Sequence, residues 1–326
     1  MHIYQHLILV ATLLVSMQGT FAQPPAQITA AEARLAKEIG EAKRLAEALE
    51  TAANKVDKEF WIGTMYNEVD LPEHTCYSLG MLLGLDTNVR KLRFDRRMRS
   101  ARTADEANEL RIRAQSLDNF ASAASAALKE SEKKRSIAWN LDCAEKYGIV
   151  HHQNGASTFY EITNGGRGIE ILGSIEVGFT ERLRTTLAQY PKVEFVALGS
   201  GGGSVAEAIA SGRLIRSKGL ATTIWNNCYS ACPLVFLGGV ERHIHSPYPS
   251  LGFHQISTSV GAIPKNSPVY DRVADYIREM GASDQFVIAA MLRASPEEMN
   301  MVNGADARLC RARVATWIQR TCEADR

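Results

Sequence analysis

Two residues with complementary chemistry lie in the second half of the chain. Ser230 stands in the segment N-C-Y-S-A-C-P, and His254 stands in the segment L-G-F-H-Q. A serine hydroxyl is a weak nucleophile until a base removes its proton, and a histidine side chain titrates near neutral pH. Together the two residue types predict acyl transfer, with the hydroxyl of Ser230 as nucleophile and the imidazole of His254 as base.

A run of glycines, Gly201 to Gly203, precedes both residues in the sequence. Consecutive glycines permit backbone angles that other residues avoid, and they let a ligand approach the main chain closely. Ser204 and Glu207 have the spacing of a capping box, so a helix is predicted to begin directly after the glycines. Free N–H groups at such a turn can bind an anion, for example a developing oxyanion or a phosphate. No lysine follows, which excludes a nucleotide loop of the Walker type.

Each feature alone also has a structural interpretation. The glycines can form a plain tight turn, Ser230 can cap a helix, and His254 can be a hydrogen-bonded structural residue. His243 and His245 are further candidates for the base, although their alternation along a strand suggests surface or edge roles. The functional interpretation therefore depends on the three features acting together.

The elements that must position these residues begin after Gly168. Apolar stretches alternate there with amphipathic ones, and this rhythm predicts βαβ units and a largely parallel sheet. Ser230 then falls at a strand-to-helix junction, where Pro233 is tolerated in the first turn of the helix. The predicted strands are 169–175, 193–198, 221–225, 242–245 and 251–255.

The chain before this region has a helical composition. Leu35, Ile39, Leu45 and Leu49 recur at near-helical spacing within a predicted helix over 29–60, and helices are also predicted over most of 76–147. We divide the chain into three parts. Residues 1–22 are a predicted signal peptide, residues 23–150 a helical N-terminal region, and residues 151–326 an α/β domain with the predicted hydrolytic residues.

The order of the glycine turn, the serine and the histidine resembles the proteolytic subunit of Clp protease and its relatives in the crotonase-like superfamily. The resemblance runs from about Ile169 to His254, and more faintly to about Ala307. It is carried by I-L-G-S-I, G-S-G-G-G-S-V, Y-S-A and G-F-H-Q. Within that group the chain resembles exported bacterial Clp-like proteins with a C-x-S-A-C signature. The resemblance implies an α/β fold with a repeated ββα core.

The resemblance also implies residue roles. Ser230 would be the nucleophile, and His254 would be the general base and acid. The backbone N–H groups of Ala231 and of Gly203 or Gly202 would form the oxyanion hole. The substrate would be a peptide or protein that pairs with the enzyme as an added strand, no cofactor or metal would be needed, and a homo-oligomer is compatible with the family.

The third member of the family's triad has no clear counterpart. The acid that orients the histidine would align with Met299, which has acidic neighbours in Glu297 and Glu298. Glu298 is the predicted third catalytic residue, and a Ser/His dyad is the alternative. Loss of the orienting group usually weakens such enzymes severely without abolishing activity.

Net charge and composition bound the partners. The chain carries 37 basic and 36 acidic side chains, so nucleic acid is not an expected partner. Basic residues crowd the stretch between Arg90 and Arg102, which could meet an anionic membrane surface or an acidic partner. A solvated helix face paired with Glu106 and Glu109 is the favoured interpretation of that stretch.

Export is predicted from the N-terminus and from the cysteines. The first residues lack charged side chains, contain an apolar run from Leu7 to Val15 and end in small residues, so we expect signal-peptide cleavage after Ala22 and a periplasmic or secreted protein. The six cysteines suit disulfides in an oxidising compartment, and their spacing matches no zinc site. Cys76 with Cys143 and Cys310 with Cys322 are plausible pairs. Cys228 and Cys232 could either pair or pack as small apolar residues.

Three alternatives to a Ser/His peptidase remain at this stage. The same fold could serve as an inactive binding or scaffold module. It could hold a thioester enolate of coenzyme A, which export argues against. A Ser/Lys mechanism is disfavoured because neither Lys218 nor Lys265 lies in a matching motif.

Overall fold

The computed structural model describes residues 29–57, 70–85, 100–151, 158–245, 249–319 and 321–322. The predicted signal peptide and most of the basic stretch between Arg90 and Arg102 lie outside the described residues. Expectations for those two segments therefore stay predictions.

The first half of the described chain is helical, as predicted. Thr29 and Glu32 form a capping box at the start of the first helix, which ends several residues earlier than its composition suggests. Leu35, Ile39 and Leu49 face a core shared with the later helices, whereas Leu45 is only partly buried. The five helices are α1 (Ala30–Asn54), α2 (Asp70–Leu82), α3 (Ala104–Lys129), α4 (Glu132–Asp142) and α5 (Ala144–Tyr147).

Strands and helices alternate in the second half. The helices are α6 (Phe179–Gln189), α7 (Val205–Ser217), α8 (Cys232–Leu237), α9 (Pro268–Glu279), α10 (Asp284–Met291) and α11 (Arg308–Arg311). The strands are β1 (Phe159–Thr163), β2 (Gly168–Leu172), β3 (Phe195–Ser200), β4 (Ala221–Tyr229), β5 (Arg242–Ile244), β6 (Leu251–Phe253), β7 (Ser257–Thr258), β8 (Gly261–Ala262), β9 (Asn300–Val302) and β10 (Trp317–Ile318).

The main sheet is mostly parallel, which confirms the predicted α/β class. Its strands lie in the order β1-β2-β3-β4-β5-β10, and only β1 runs antiparallel to its neighbour along this path. β4 is forked: its first half pairs with β5 and its end pairs with β6, which also pairs with β9 in antiparallel fashion. The fork brings the end of β4 beside the end of β6. Ser230 and His254 come directly after these two strands.

β4 contains an irregularity just before this point. While β3 advances from Leu198 to Ser200, β4 advances from Ile224 to Cys228. The extra residues bulge out of the ladder with β3, and a bulge of this kind bends a strand and re-aims the residues after it. Gly199 makes room for the bulge, because a Cβ there would overlap with the side chain of Asn226.

The helical region packs against the sheet through α4. Ile137 and Leu141 on α4 form a small apolar cluster with Leu172 on β2. The ammonium group of Lys134 lies between the carboxylates of Glu161 and Glu170, at 2.7 and 3.0 Å. Polar and apolar contacts therefore both join the helical region to the sheet.

Three disulfides are present: Cys76–Cys143, Cys228–Cys232 and Cys310–Cys322. The first and third are the pairs that the sequence made plausible. The second shows that Cys228 and Cys232 pair with each other rather than pack as separate apolar residues. Together they fit a protein of an oxidising, extracellular or periplasmic compartment. Within the described residues, every helix is too short or too polar to span a lipid bilayer.

Candidate active site

Ser230 occupies a sharp turn between β4 and α8. Its φ of 59° lies in the left-handed region, which residues other than glycine adopt uncommonly. Its N–H donates to the carbonyl of Gly252 on β6, at 2.9 Å. A serine on a strained strand-to-helix turn is the arrangement of nucleophile elbows in hydrolases. The backbone conformation therefore distinguishes Ser230 from an ordinary helix-capping serine.

A disulfide brackets this turn. Cys228 lies just before the turn, Cys232 begins α8, and their Cα atoms are 5.2 Å apart. Both cysteines are fully buried. The cross-link joins the two ends of the turn and so restricts the conformations open to Ser230.

His254 lies directly after β6 and contacts Ser230. Its Nε2 atom is 2.6 Å from the Oγ atom of Ser230, within hydrogen-bond reach of a base and its nucleophile. Partial burial of the ring lowers the pKa of His254 below its usual value, while the carbonyl of Pro296 and the charge of Glu297 act in the opposite direction. The lowered pKa favours the neutral ring, the form that can accept the hydroxyl proton. His243 instead lies beside Glu241, away from Ser230.

The other ring nitrogen of His254 is buried and has no acceptor of hydrogen-bond geometry among the described residues. The carbonyl of Pro296 is near enough to raise the pKa of the ring, although its placement falls short of that geometry. Glu298 is exposed, and its N–H donates to the carbonyl of Ser295. The structure gives its carboxylate no hydrogen bond to His254, so a catalytic role for Glu298 stays a prediction.

Met299, where the family's acid would align, packs instead beside Gly252. Asn300 donates its side-chain amide to the carbonyl of Ala290. The pairing of β6 with β9 carries this whole segment to the back of the His254 ring. Within the described part of the chain, the ring is therefore backed by main chain rather than by a bonded carboxylate.

The glycine run passes directly beside Ser230. Gly202 has a φ of 100°, and a Cβ there would overlap with the side chain of Ser230. The N–H of Gly202 donates to Ser200 Oγ at 3.0 Å, and its carbonyl accepts from the N–H of Ile175 at 2.9 Å. Ser200 and Ile175 thus fix the loop from both sides. Because its N–H is already used, Gly202 is the poorer of the two glycine candidates for the oxyanion hole.

Gly203 and Ala231 each have an N–H that donates to no other described residue. Gly203 directly follows Gly202, and Ala231 directly follows Ser230, so both N–H groups lie near the serine. Ala231 is buried, and most buried backbone N–H groups in proteins are paired, so an unpaired one next to the serine is notable. These two groups are the available donors for an oxyanion formed at Ser230.

The predicted capping box after the glycines is only half formed. The hydroxyl of Ser204 accepts from the N–H of Glu207 at 3.3 Å, as expected of an N-cap. The carboxylate of Glu207, however, accepts from the N–H groups of Gly178 and Thr180, both at 2.9 Å. Glu207 therefore ties the start of α6 to α7, a contact that sequence spacing alone cannot reveal.

A cavity of about 630 Å³ adjoins the site between α7, α9 and the β7–β8 hairpin. It begins at Gly203 and Ser204, and Ile256, just beyond His254, forms part of its wall. Most of the remaining lining is apolar, including Val205, Ile209, Ile263 and Val269. The cavity could accept a side chain of a substrate whose carbonyl carbon lies at Ser230. No group of His, Cys, Asp and Glu residues suited to a metal ion occurs in the described ranges.

Sequence reasoning missed two contributors to this site. Ser200 holds the N–H of Gly202, and Pro296 lies behind the His254 ring. Ser200 is adjacent to the glycines, so its place in the sequence could have suggested a loop-fixing role. No pattern points to the Pro296 carbonyl, because tertiary contacts bring it there: the pairing of β6 with β9 and the hydrogen bond from the N–H of Gln255 to the carbonyl of Ala294.

No family model matches the chain, and no curated protein matches it. Among solved structures, a variant of ClpP1 from Listeria monocytogenes is similar, with 15% identity and a TM-score of 0.37. That match covers 47% of this chain and 91% of the other. The functional interpretation therefore depends on the geometry of the site.

Proposed function

We propose that the chain is an exported serine hydrolase, a peptidase of the Clp-like type. The observation that carries this proposal is the 2.6 Å contact between the Nε2 atom of His254 and the Oγ atom of Ser230, on a turn where Ser230 adopts a left-handed backbone conformation. The unpaired N–H groups of Gly203 and Ala231 beside this contact support it.

The reaction follows from these groups. His254 accepts the hydroxyl proton while Ser230 Oγ attacks the carbonyl carbon of the substrate, and the carbonyl π electrons move onto its oxygen. When the tetrahedral intermediate collapses, the C–N bond breaks and His254 gives its proton to the leaving amine. A water molecule then attacks the acyl-enzyme with His254 again as base, which releases the acid and restores Ser230.

The oxyanion would be held by the N–H groups of Gly203 and Ala231. Donors of this kind are fixed before the reaction and cost no reorganisation, and removal of one costs on the order of 10²–10³ in turnover. Gly202 contributes differently in this proposal: its lack of a side chain leaves room for Ser230, and its bonded N–H keeps the loop rigid.

The proposed substrate is a peptide or protein in extended conformation. The glycine loop leaves main-chain groups accessible at Gly203, as strand addition requires. The adjoining cavity has a mostly apolar lining for a substrate side chain, with Arg213, Arg272 and Asp275 also in its wall. The three disulfides fit a location outside the cytoplasm, and we propose cleavage of the N-terminal segment after Ala22. Homo-oligomer formation is a further proposal from the family resemblance.

A second candidate function is an inactive binding module with the same fold. The observation that favours it is the buried second nitrogen of His254, which has no bonded carboxylate among the described residues. Substitution of Ser230 by Ala distinguishes the candidates, because a binding module would keep its role in the cell, whereas a hydrolase would lose its role even if it still bound peptide.

The test uses the full chain with its disulfides formed and a peptide library as substrate. We expect cleavage by the wild-type protein and none by Ser230→Ala, and we expect a fluorophosphonate to block the wild-type activity. Binding of the library without cleavage, in protein that unfolds cooperatively, would contradict the hydrolase proposal and support the binding module.

A further inference from the structure

The end of α4 in the helical region lies against β4, immediately before the Ser230 turn. The carboxylate of Asp142, the last residue of α4, accepts two hydrogen bonds from β4. Its Oδ1 accepts from the N–H of Asn227 at 3.0 Å, and its Oδ2 accepts from the side-chain amide of Asn226 at 2.7 Å. These are charge-assisted bonds, which are stronger than bonds between neutral groups.

The preceding residue contributes as well. The carbonyl of Leu141 accepts from the hydroxyl of Tyr229 at 3.0 Å and from the side-chain amide of Asn227 at 3.2 Å. The side chain of Leu141 contacts the position where a Cβ of Gly201 would be. The end of α4 therefore contacts both the strand before Ser230 and the loop before Gly203.

The bulge in β4 explains why this contact matters. Asn226 and Asn227 lie in the part of β4 that has lost its register with β3, so the N–H of Asn227 has no ladder partner there. Asn227 is buried, and a buried N–H without an acceptor is unfavourable. Asp142 provides that acceptor from outside the sheet and so holds the bulge in the conformation that leads into Ser230.

Asn227 also contacts the residue before β6, the strand that leads to His254. The side-chain carbonyl of Asn227 accepts from the N–H of Ser250 at 2.8 Å, just before β6 and His254. A disulfide from Cys143, next to Asp142, to Cys76 ties the end of α4 to α2. One polar network thus connects the helical region to the strand before the nucleophile and to the strand before the base.

We propose that Asp142 is a positioning residue, through which the helical region holds Ser230 and His254 in the relative positions that their contact requires. The inference rests on the proposed function for its consequence on activity. A displacement of about 1 Å can cost on the order of 10²-fold in rate, so a contact away from the reacting atoms can control the reaction. The helical region then contributes to the reactivity of the site as well as to the fold.

The experiment compares Asp142→Ala with a matched change on the same helix, Lys134→Gln, which removes the ion pairs with Glu130, Glu161 and Glu170. Three quantities are measured on the full chain: the rate of fluorophosphonate labelling at Ser230, amide hydrogen exchange over 226–231, and the thermal midpoint. We expect Asp142→Ala to slow labelling about 10- to 100-fold and to accelerate exchange in that segment. Lys134→Gln should lower the thermal midpoint and leave both local quantities near the wild type.

Asp142→Asn keeps one acceptor oxygen for Asn227 and should give an intermediate labelling rate, and it replaces Asp142→Ala in the comparison if that variant does not fold. Equal labelling rates in wild type and the Asp142 variants, or equal slowing by Lys134→Gln, would overturn the inference while the hydrolase proposal stands. If the wild-type protein is not labelled at all, the hydrolase proposal fails. The positioning is then decided by exchange alone: acceleration confined to the Asp142 variants supports it, and unchanged exchange contradicts it.

Discussion

Among the residues that the structure describes, two pairs of serine and histidine side chains are in contact at the same separation. In the α/β region, Ser230 Oγ is 2.6 Å from Nε2 of His254. On α4 of the helical region, Ser136 Oγ is 2.6 Å from Nδ1 of His151, which directly follows that region. By distance alone the two pairs are indistinguishable, so the features that separate them lie in their surroundings.

The surroundings differ in access and in available donors. Ser136 is in the interior of α4 and only 2% exposed, whereas Ser230 is partly exposed on a turn beside a cavity. A helix interior uses its N–H groups in its own hydrogen bonds, whereas Gly203 and Ala231 leave two unpaired next to Ser230. A serine close to a histidine becomes a site only where a substrate can enter and an oxyanion can be held.

The largest expected effect is the removal of the reacting hydroxyl. Ser230→Ala should reduce turnover on the order of 10⁶-fold, because the nucleophile has no substitute. Ser136→Ala should leave turnover within about twofold of the wild type and change only the thermal midpoint. Peptide hydrolysis measures the turnover of both variants, and calorimetry measures their thermal midpoints. Comparable losses of turnover in the two variants would contradict a catalytic difference between the two serine–histidine pairs.

Substitution of the two histidines, His254 and His151, should likewise have very different effects on turnover. His254→Gln should cost on the order of 10⁴–10⁶ in turnover, and the double variant with Ser230→Ala should be no worse than Ser230→Ala alone, because nucleophile and base act as a unit. His151→Gln serves as the matched control and should retain wild-type turnover. Additive losses in the double variant would show that His254 does not act through Ser230.

The oxyanion donors give the next effect. Gly203→Ala places a side chain at a φ of 141° and against the backbone of Ile175, so the N–H of residue 203 must move. We expect a loss on the order of 10²–10³ in turnover. Gly219→Ala is the control, since Gly219 also has a positive φ but open space around it. It should lower stability and leave turnover intact.

The pH profile should report the neutral His254 ring. Burial lowers its pKa below the usual value of 6.5, so turnover should fall on acidification with a midpoint below that value, as the ring becomes protonated and can no longer act as base. Glu297→Gln removes a charge that raises this pKa and should move the midpoint to lower pH. A midpoint above 6.5, or a shift upward in Glu297→Gln, would contradict this description of the ring.

The smallest effect is expected at the predicted third residue. Glu298 is exposed and unbonded to His254, so Glu298→Gln should change turnover by less than about threefold if a dyad suffices. A loss on the order of 10²-fold or more, without a change in the thermal midpoint, would instead make Glu298 the residue that orients the ring. The comparison of kcat with KM locates the effect in the chemical step or in binding.

Local patterns predicted the elements well, and they singled out Ser230 and His254, whose side chains lie in contact. Ser230 and His254 were identifiable because chemistry, order and strand-end position coincide in the sequence, and the parallel sheet follows from the alternation of strands and helices. The three disulfides formed between cysteines whose pairing the sequence left open. For the elements and for Ser230 and His254, the signal is contained within one segment or one short interval of the chain, whereas Cys76 and Cys143 are 67 residues apart.

The supporting residues could not be predicted in this way. The contact of Asp142 with Asn227 depends on how α4 packs against a bulge, and the bulge itself has no sequence signature. The carbonyl of Pro296 lies near His254 because β9 pairs with β6 and because the N–H of Gln255 donates to the carbonyl of Ala294. The carboxylate of Glu207 bonds to Thr180 on α6, so the capping box that its spacing predicts with Ser204 is only half formed. Positions set by tertiary packing carry no periodic signal.

Mapping of a fluorophosphonate adduct tests the central claim most directly. The wild-type chain, with three disulfides verified, is treated with the probe, digested and analysed by mass spectrometry, so that Ser230 and Ser136 are read in separate peptides. We predict one adduct, on Ser230, that is absent from His254→Gln under the same conditions. An unmodified Ser230 in protein that unfolds cooperatively would contradict the claim that this serine is an activated nucleophile.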